Sequence, residues 1–185
     1  MGVLRHPDPA LLVVAAFSRH EEAIRWARAK LEQIFGPIGL ISPPYDFTQT
    51  TYYEASMGAG LRKQFFVFQD LVSGDCLPAA KLRTNDLEGE LARAGNYAEP
   101  RPLNLDPGLL TLGKFMLATT KDQAHRIYLR DGIFAEVTLR YQAGAFEPWP
   151  WTYADYRQEV VRGFLGEARI FYQQLRQRQQ RNCED

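Results

Sequence analysis

The sequence has little cysteine, no long apolar run and no excess of either charge. Its 185 residues include two cysteines, Cys76 and Cys183, which lie far apart in the chain. That spacing argues against a disulfide framework and against a zinc site built from CxxC pairs. The cysteine usage is therefore typical of a protein of the reducing cytoplasm.

The balance of charge argues against two classes of partner. Lys and Arg total 22, and Asp and Glu also total 22, so no overall field attracts nucleic acid or an anionic membrane. No segment approaches the roughly 18 apolar residues of a membrane-spanning helix. We therefore expect neither a membrane nor a nucleic acid as partner. A protein partner, a homo-oligomer and a small ligand all stay compatible with the sequence.

Nucleotide-binding motifs are also missing. The chain has no GxxxxGK[ST] loop and no GxGxxG that follows a predicted strand. The glycines of MGAGLRK (57–63) lie between two predicted strands, whereas phosphate binding needs backbone N–H groups gathered at the start of a helix. A plain turn is the better interpretation of this segment.

The composition and the hydrophobic patterns predict one α+β domain over residues 1–185, with an N-terminal arm at 1–9 and a frayed tail at 179–185. Hydrophobic residues make up 45% of the chain and charged residues 24%, as in ordinary globular proteins. The order β-α-β-β-α-β over residues 10–106 suggests a mainly antiparallel sheet with packed helices, an elaborated ferredoxin-like sandwich. The predicted strands lie at 10–17, 38–41, 48–55, 61–68, 101–106 and 115–119, and the predicted helices follow Ser18 to Gly36, cover 77–94 and run from 153 to about 178.

Two helix starts carry capping signals. Ser18 and Glu21 have the spacing of a capping box, and Thr152 precedes the last predicted helix. The apolar stripe of that helix predicts burial of Phe164, Phe171 and Leu175.

Residues 125–140 predict a β-hairpin. Two alternating β-branched and aromatic runs flank Asp131-Gly132, the strongest short hairpin signal. A regular two-residue turn would pair His125 with Thr138, and it would place Glu136 on the same face as His125 and Arg126 on the other.

The pairing of His125 with Glu136 suggests a candidate catalytic site. A histidine beside a carboxylate can act as a general base with its orienting group, or both can bind a metal. Asp106, in NLDPG, is the third candidate, and the three together would suit a divalent ion. The alternative is that His125 and Glu136 form a cross-strand pair on a solvated face and that Asp106 starts a turn. For each residue alone this alternative has the greater weight.

Other polar and aromatic side chains are candidates for ligand contact. Asn85, Lys121, Arg126 and Arg157 could bind an anionic ligand, although each alone is more often a surface group. The aromatic linker at residues 146–151 contains Pro148 and Pro150, which predict an extended chain lying over the core. The aromatic rings at 52, 53, 149, 151, 153 and 156 could line a pocket or cover an edge of the core.

Several strings together resemble a known family. They are FGPI (35–38), TTYYE with MG (50–58), KLRTNDLE (81–88), NLDPG (104–108), LATTKDQAHRIYL (117–129), GIFAEVTLRY (132–141) and WTYADYR (151–157). Over roughly residues 13–172 the chain is similar to an uncharacterised bacterial domain-of-unknown-function family. Some members carry a GTP-binding label, which no nucleotide motif of this sequence supports. The family pattern has an acidic residue where this chain has Gly39 and a proline where it has Ala154. The resemblance directs attention to Glu54, Asn85, Asp106, Lys121, His125, Arg126 and Glu136.

Two functional hypotheses follow. In the first, the polar cluster binds a small anionic or nucleotide-like ligand, alone or with a divalent metal. In the second, the segment 146–156 docks a protein partner without catalysis. Neither hypothesis decides whether the protein is an enzyme. A concave pocket that joins Asp106, His125 and Glu136 would favour the first.

Overall fold

The computed structural model describes residues 2–4 and 7–182, and it confirms the α+β class. The elements in chain order are β1 (Ala10–Ser18), α1 (Glu21–Phe35), β2 (Ile38–Ile41), β3 (Tyr45–Asp46), α2 (Glu54–Met57), β4 (Arg62–Val72), α3 (Leu77–Arg93), β5 (Asn104–Leu110), β6 (Lys114–Thr119), β7 (Ile127–Arg130), β8 (Ile133–Gln142), β9 (Ala145–Pro148) and α4 (Glu159–Asn182). Short 3-10 turns cover Gly74–Cys76 and Ala154–Arg157. Cys76 forms no disulfide with a described residue, and Cys183 lies outside the described residues.

The strands form one antiparallel sheet in the order β2-β4-β1-β5-β6-β8-β7, with β3 paired to β4 and β9 paired to β8. The order β2-β4-β1-β5, with α1 and α3 as connections, is the ferredoxin-like arrangement that the sequence predicts. The strand β1 is central because its continuous apolar run is buried on both faces. None of the helices in the described part of the chain is long and apolar enough to cross a membrane.

The alternation of side chains along β1 separates two hydrophobic layers. Leu12 and Val14 belong to the core that includes residues of α1 and α3. Leu11 and Val13 belong to the core that includes residues of α4. Successive residues of a strand point to opposite faces, so the sheet lies between α1 and α3 on one side and α4 on the other.

The turn of the predicted hairpin is confirmed. Asp131 and Gly132 have φ of 55° and 75°, as a type I′ turn requires, and Arg130 pairs with Ile133. The predicted register beyond Arg130 is wrong, because a bulge between Tyr128 and Arg130 shifts the pairing by one residue.

The bulge shortens β7, which begins at Ile127 and pairs there with Ala135. His125 and Arg126 therefore precede the strand, and the predicted pairing of His125 with Thr138 is wrong. A bulge adds an unpaired residue and re-aims the side chains before it. Arg126, expected on the opposite face from Glu136, consequently reaches the same carboxylate as His125.

The predicted strand at 48–55 is wrong. This segment turns and enters α2, with the amide of Glu54 donating to the carbonyl of Thr51 at 3.0 Å. The ring of Tyr53 contacts that of Phe17 at 5.0 Å between centroids. Packing of this ring against the core outweighs the β propensity of the segment, which depends on having a partner strand.

The alternative in which Asp106 starts a turn is also wrong, since Asp106, Pro107 and Gly108 all lie within β5. Pro107 pairs with Val14. At Gly108, an added Cβ would lie 2.5 Å from the carbonyl oxygen of Met116. Glycine at this position permits the close approach of β6 to β5.

Both predicted caps are replaced by tertiary hydrogen bonds. His20 occupies the N-cap of α1 without a side-chain cap, while the Ser18 hydroxyl donates to the carbonyl of Pro102 at 2.6 Å. The Thr152 hydroxyl donates to the carbonyl of Thr138 at 2.5 Å, and α4 starts only at Glu159.

The predicted packing of the last helix is confirmed in part. Phe164 is buried, whereas Phe171 and Leu175 are half-buried. The helix continues to Asn182 rather than ending near Arg178.

Candidate ligand-binding cavity

A cavity of about 420 Å³ lies on the α4 face of the sheet. Phe17 follows Leu11, Val13 and Ala15 on that face, and it pairs with Lys63 of β4. Directly paired residues share a face, so Lys63 faces the cavity. The walls come from the segment 47–53, the segment 117–123 and the 3-10 turn Ala154–Arg157.

Oppositely charged side chains line this cavity. The cationic residues of the lining are Lys63, Lys81, Arg101 and Lys121, and the acidic residues are Asp106, Glu136 and Asp155. Burying a charge is costly unless it is paired, and each acidic residue has a cationic partner.

The deepest pair joins Lys63 to Asp155. The two side chains are 2% and 7% exposed, and Lys63 Nζ donates to Asp155 Oδ2 at 2.5 Å. Lys63 Nζ also lies 4.3 Å from the ring centroid of Tyr156 and 5.5 Å from that of Phe17. A cation above an aromatic ring is attracted by the ring's electron density. The carboxylate and the rings together compensate for the lost hydration of the ammonium.

Asp106 is held by a lysine and an amide. Lys81 Nζ donates to Asp106 Oδ1 at 3.2 Å and to the carbonyl of Leu105 at 2.8 Å. Asn104 Nδ2 donates to Asp106 Oδ2 at 2.7 Å. Burial alone would raise the pKa of Asp106, but Lys81, Lys63 and the Asn104 amide outweigh it and hold the pKa below its usual value. Asp106 is therefore ionised at neutral pH.

A second acid lies behind Asp106. Arg101 donates to Glu88 Oε2 at 2.9 Å and also to Asn104 Oδ1. Glu88 Oε1 accepts the amide of Leu105 at 2.8 Å. Burial raises the pKa of Glu88 although Lys81 and Arg101 act in the opposite direction. Arg101 thus connects the cavity to α3.

Glu136 binds the guanidinium of Arg126. Arg126 Nε donates to Glu136 Oε2 at 2.9 Å, and both side chains are 1% exposed. Thr138 Oγ1 donates to Glu136 Oε1 at 3.1 Å, and His125 Nε2 lies 3.3 Å from Glu136 Oε2. The guanidinium also donates to the hydroxyl of Tyr153 at 2.5 Å. Arg126 thereby joins Glu136 to a tyrosine of the cavity wall.

Lys121 differs from the other three cations of the lining. It is exposed, and no carboxylate oxygen of the described residues lies within 4.0 Å of its ammonium. Its Nζ lies 3.3 Å from the hydroxyl of Tyr52 and 4.6 Å from that ring's centroid. Tyr52 is 66% exposed, so this pair marks the rim of the cavity.

The structure separates the candidate residues into three groups. Asp106, Glu136 and Lys121 line the cavity. His125 and Arg126 contact Glu136 but do not line the cavity. The remaining candidates do not contribute to the lining: Glu54 begins α2, Asn85 lies in α3, and Arg157 donates to the carbonyls of Trp149, Pro150 and Thr152.

Four charged residues of the cavity lining were not among the candidates identified from the sequence. Lys63, Lys81, Arg101 and Asp155 are polar side chains in otherwise ordinary strand, helix and loop segments. Lys63 carries the one usable signal, because it lies two residues before Phe65 in β4 and therefore shares a face with a buried core residue. The other three are brought to the cavity by long-range packing.

The hypothesis of a divalent metal gains no support from this geometry. Within residues 2–4 and 7–182, no three His, Cys, Asp or Glu side chains are arranged to hold a metal ion. Asp106 is engaged by Lys81 and Asn104, whereas Glu136 is engaged by Arg126. Ammonium and guanidinium groups thus occupy the positions that metal coordination would need.

The aromatic segment 146–156 lies along β8 and packs on itself. The rings of Trp149 and Trp151 are stacked at 5.2 Å, and Trp151 is stacked on His125 at 5.4 Å. Trp151 Nε1 donates to the carbonyl of Val137 at 3.1 Å. Trp151 is nevertheless 38% exposed, so part of the stack is accessible to solvent.

The comparisons with known proteins identify a family. No curated protein and no solved structure matches the chain. The family described as "Domain of unknown function (DUF4416)" matches residues 8–172, a range that includes every residue of the cavity lining. The chain therefore belongs to the DUF4416 family.

Proposed function

We propose that this protein binds a small anionic molecule in the cavity between the sheet and the turn Ala154–Arg157. The observation that carries the proposal is the charge of Lys121. The other three lining cations are each neutralised by a carboxylate, and Glu136 by Arg126. Among the described residues Lys121 has no carboxylate partner, and it lies at the rim, where an anion can reach it.

The dimensions and chemistry of the cavity support a small ligand. Its volume of about 420 Å³ falls within the range of about 300–1,000 Å³ that is usual for ligand pockets. Aromatic side chains provide the apolar part of the lining: Phe17, Phe47, Tyr52, Tyr53, Tyr153 and Tyr156. Such a mixture of rings and a few polar groups suits an organic anion better than a bare inorganic ion.

The charged pairs below the rim make the site rigid before the ligand arrives. Lys63, Lys81 and Arg126 are each buried and bound to a carboxylate. A binding site whose polar groups are already oriented loses less entropy on binding. We further expect the protein to act in a bacterial cytoplasm, as its sparse cysteines and the family resemblance suggest.

The proposal is tested by replacing Lys121 with glutamine. The parent protein is titrated calorimetrically with inorganic phosphate, glycerol 3-phosphate and nucleoside monophosphates at low salt. A charge-assisted hydrogen bond contributes about 1.5–3 kcal/mol, so at an exposed rim we expect Lys121→Gln to weaken binding about five- to tenfold. Higher salt should also weaken binding by the parent protein.

Lys114 provides the matched control. It is an exposed lysine at the opposite end of β6, and it is not part of the cavity lining. Lys114→Gln removes the same net charge and should leave the affinity within about twofold of the parent value. Equal losses in both variants, or no binding of any of these anions by the parent protein, would contradict the proposal.

Partner binding through segment 146–156 is the second candidate. Trp151 is 38% exposed, and Trp149 Nε1 is buried without a hydrogen-bond partner in the described part of the chain. Exposed tryptophans are frequent anchors of protein interfaces. However, Trp151 stacks on Trp149 and His125, so a purely structural role, in which the two tryptophans cover β8, accounts for the same observations. We therefore place partner binding second.

A further inference from the structure

Arg101 retains hydrogen-bond donors that its protein partners do not use. The residue lines the cavity, and its side chain is 38% exposed. Its Nη2 donates both to Glu88 Oε2 at 2.9 Å and to Asn104 Oδ1. Nη1 and Nε make no hydrogen bond with the described residues, and neither atom is buried. Both nitrogens carry N–H donors, so these donors are available to a ligand.

The guanidinium is held in place at the cavity wall. The backbone amide of Arg101 donates to the carbonyl of Ser56 at 3.1 Å, while Glu88 and Asn104 bind Nη2. Asn104 and Tyr53 lie against the guanidinium, and both line the cavity. The charged group of Arg101, and not only its aliphatic stem, therefore borders the cavity.

Two neighbouring tyrosines bring Arg101 and Lys121 to the same wall. Arg101 Cζ lies 5.9 Å from the ring centroid of Tyr53, and Lys121 Nζ lies 4.6 Å from that of Tyr52. The two rings contact each other edge to face, with their centroids 5.0 Å apart. One small molecule lying along this pair of rings can therefore contact both cations.

The charges around Arg101 decide which group the ligand offers it. Glu88 already neutralises Arg101, just as Asp106 neutralises Lys81. A second anionic group at Arg101 would add a negative charge beside these carboxylates without a cation of its own. A neutral carbonyl oxygen avoids this repulsion, and its hydrogen bond from a charged donor is stronger than one between neutral groups.

We propose that Arg101 donates a hydrogen bond to a neutral carbonyl oxygen of the same ligand whose anionic group binds Lys121. This inference rests on the proposed function and specifies its ligand as an organic molecule with one anionic group and a carbonyl group set apart from it. Arg101 is then the residue that distinguishes such molecules from simple anions. Glu88 sets the preference for a neutral acceptor, because its carboxylate already compensates the guanidinium.

The test compares three acids of equal chain length. Hexanoate has the anionic group alone, 5-oxohexanoate adds a neutral ketone, and adipate adds a second carboxylate. The corresponding sets one carbon shorter and one carbon longer cover other spacings between the two groups. In calorimetric titrations at low salt, the best oxo acid should bind the parent protein about fivefold more tightly than its alkanoate. It should also bind more tightly than its dicarboxylate.

Three variants separate the roles of the side chains. Arg101→Lys keeps a charge that can pair with Glu88 but removes the guanidinium donors. It should abolish most of the preference for the oxo acid and leave the affinity for the alkanoate within about twofold. Lys121→Gln should weaken the alkanoate and the oxo acid equally. Glu88→Gln keeps the Arg101 donors but removes their counter-charge, so it should improve binding of the dicarboxylate relative to the oxo acid about fivefold.

The possible results separate this inference from the proposed function. If no oxo acid binds more tightly than its alkanoate, or if Arg101→Lys keeps the preference, the role of Arg101 is refuted, while the Lys121 result still decides the anion site. If the parent protein prefers the dicarboxylate, the neutral acceptor is refuted. If Arg101→Lys and Glu88→Gln weaken all three acids alike, the pair only holds the fold and the inference fails. If none of these acids binds the parent protein, the inference also fails, whereas the phosphate titrations still decide the proposed function.

Discussion

Removal of the Asp155 carboxylate should destabilise the fold by about 3–5 kcal/mol, because among the described residues it is the one carboxylate within 4.0 Å of the buried Lys63 ammonium. Lys63 is 2% exposed, and its Nζ lies 2.5 Å from Asp155 Oδ2. Four aromatic rings surround the ammonium with centroids at 4.3 to 5.5 Å. Each ring is worth about 0.5–2 kcal/mol, but all four rings are already present in the parent protein, so none of them replaces the carboxylate that the substitution removes.

Urea unfolding of Asp155→Ala, followed by circular dichroism, measures this loss. The double variant Lys63→Met with Asp155→Ala removes both charges, so it should be more stable than Asp155→Ala alone. Glu147→Ala is the control, because Glu147 and Arg140 form an exposed pair at 3.4 Å whose loss should cost less than about 1 kcal/mol. The reasoning is refuted if Asp155→Ala costs no more than Glu147→Ala.

Two further predictions concern stability. Phe164 is buried and contacts the ring of Phe65 at 5.8 Å, so Phe164→Ala should cost about 3–5 kcal/mol in urea unfolding. A loss below about 1 kcal/mol would mean that α4 packs loosely. The lowered pKa of Asp106 favours the folded state above the ordinary value of 3.8, and this contribution is lost as the pH falls below that value through the folded pKa. Asp106→Asn should therefore reduce the dependence of stability on pH between about pH 5 and about pH 2, and an unchanged dependence would contradict the inferred ionisation of Asp106.

The local hydrophobic patterns were sufficient for the class of the fold. Local signals predict three elements correctly: the apolar run of β1, the helical stripe of α1 and the Asp131-Gly132 turn. Each signal depends on residues that are close together in the sequence. The arrangement of strands follows because β-α-β-β-α-β connections with short loops allow few topologies. The same patterns could not predict the bulge in β7, since the strand propensities of residues 128–130 do not show which residue stays unpaired.

The composition of the cavity was decided by tertiary structure. Asp106 and Glu136 are recognisable in the sequence as ionisable groups within strand-forming segments, and both line the cavity. Their partners Lys81 and Arg126 come from a helix and from a loop before a shortened strand. Lys63 and Asp155 are separated by 92 residues, and no local pattern links them. A sequence shows which side chains can carry charge, but only the packed chain determines which charges neutralise one another and which one, Lys121, has no carboxylate within 4.0 Å among the described residues.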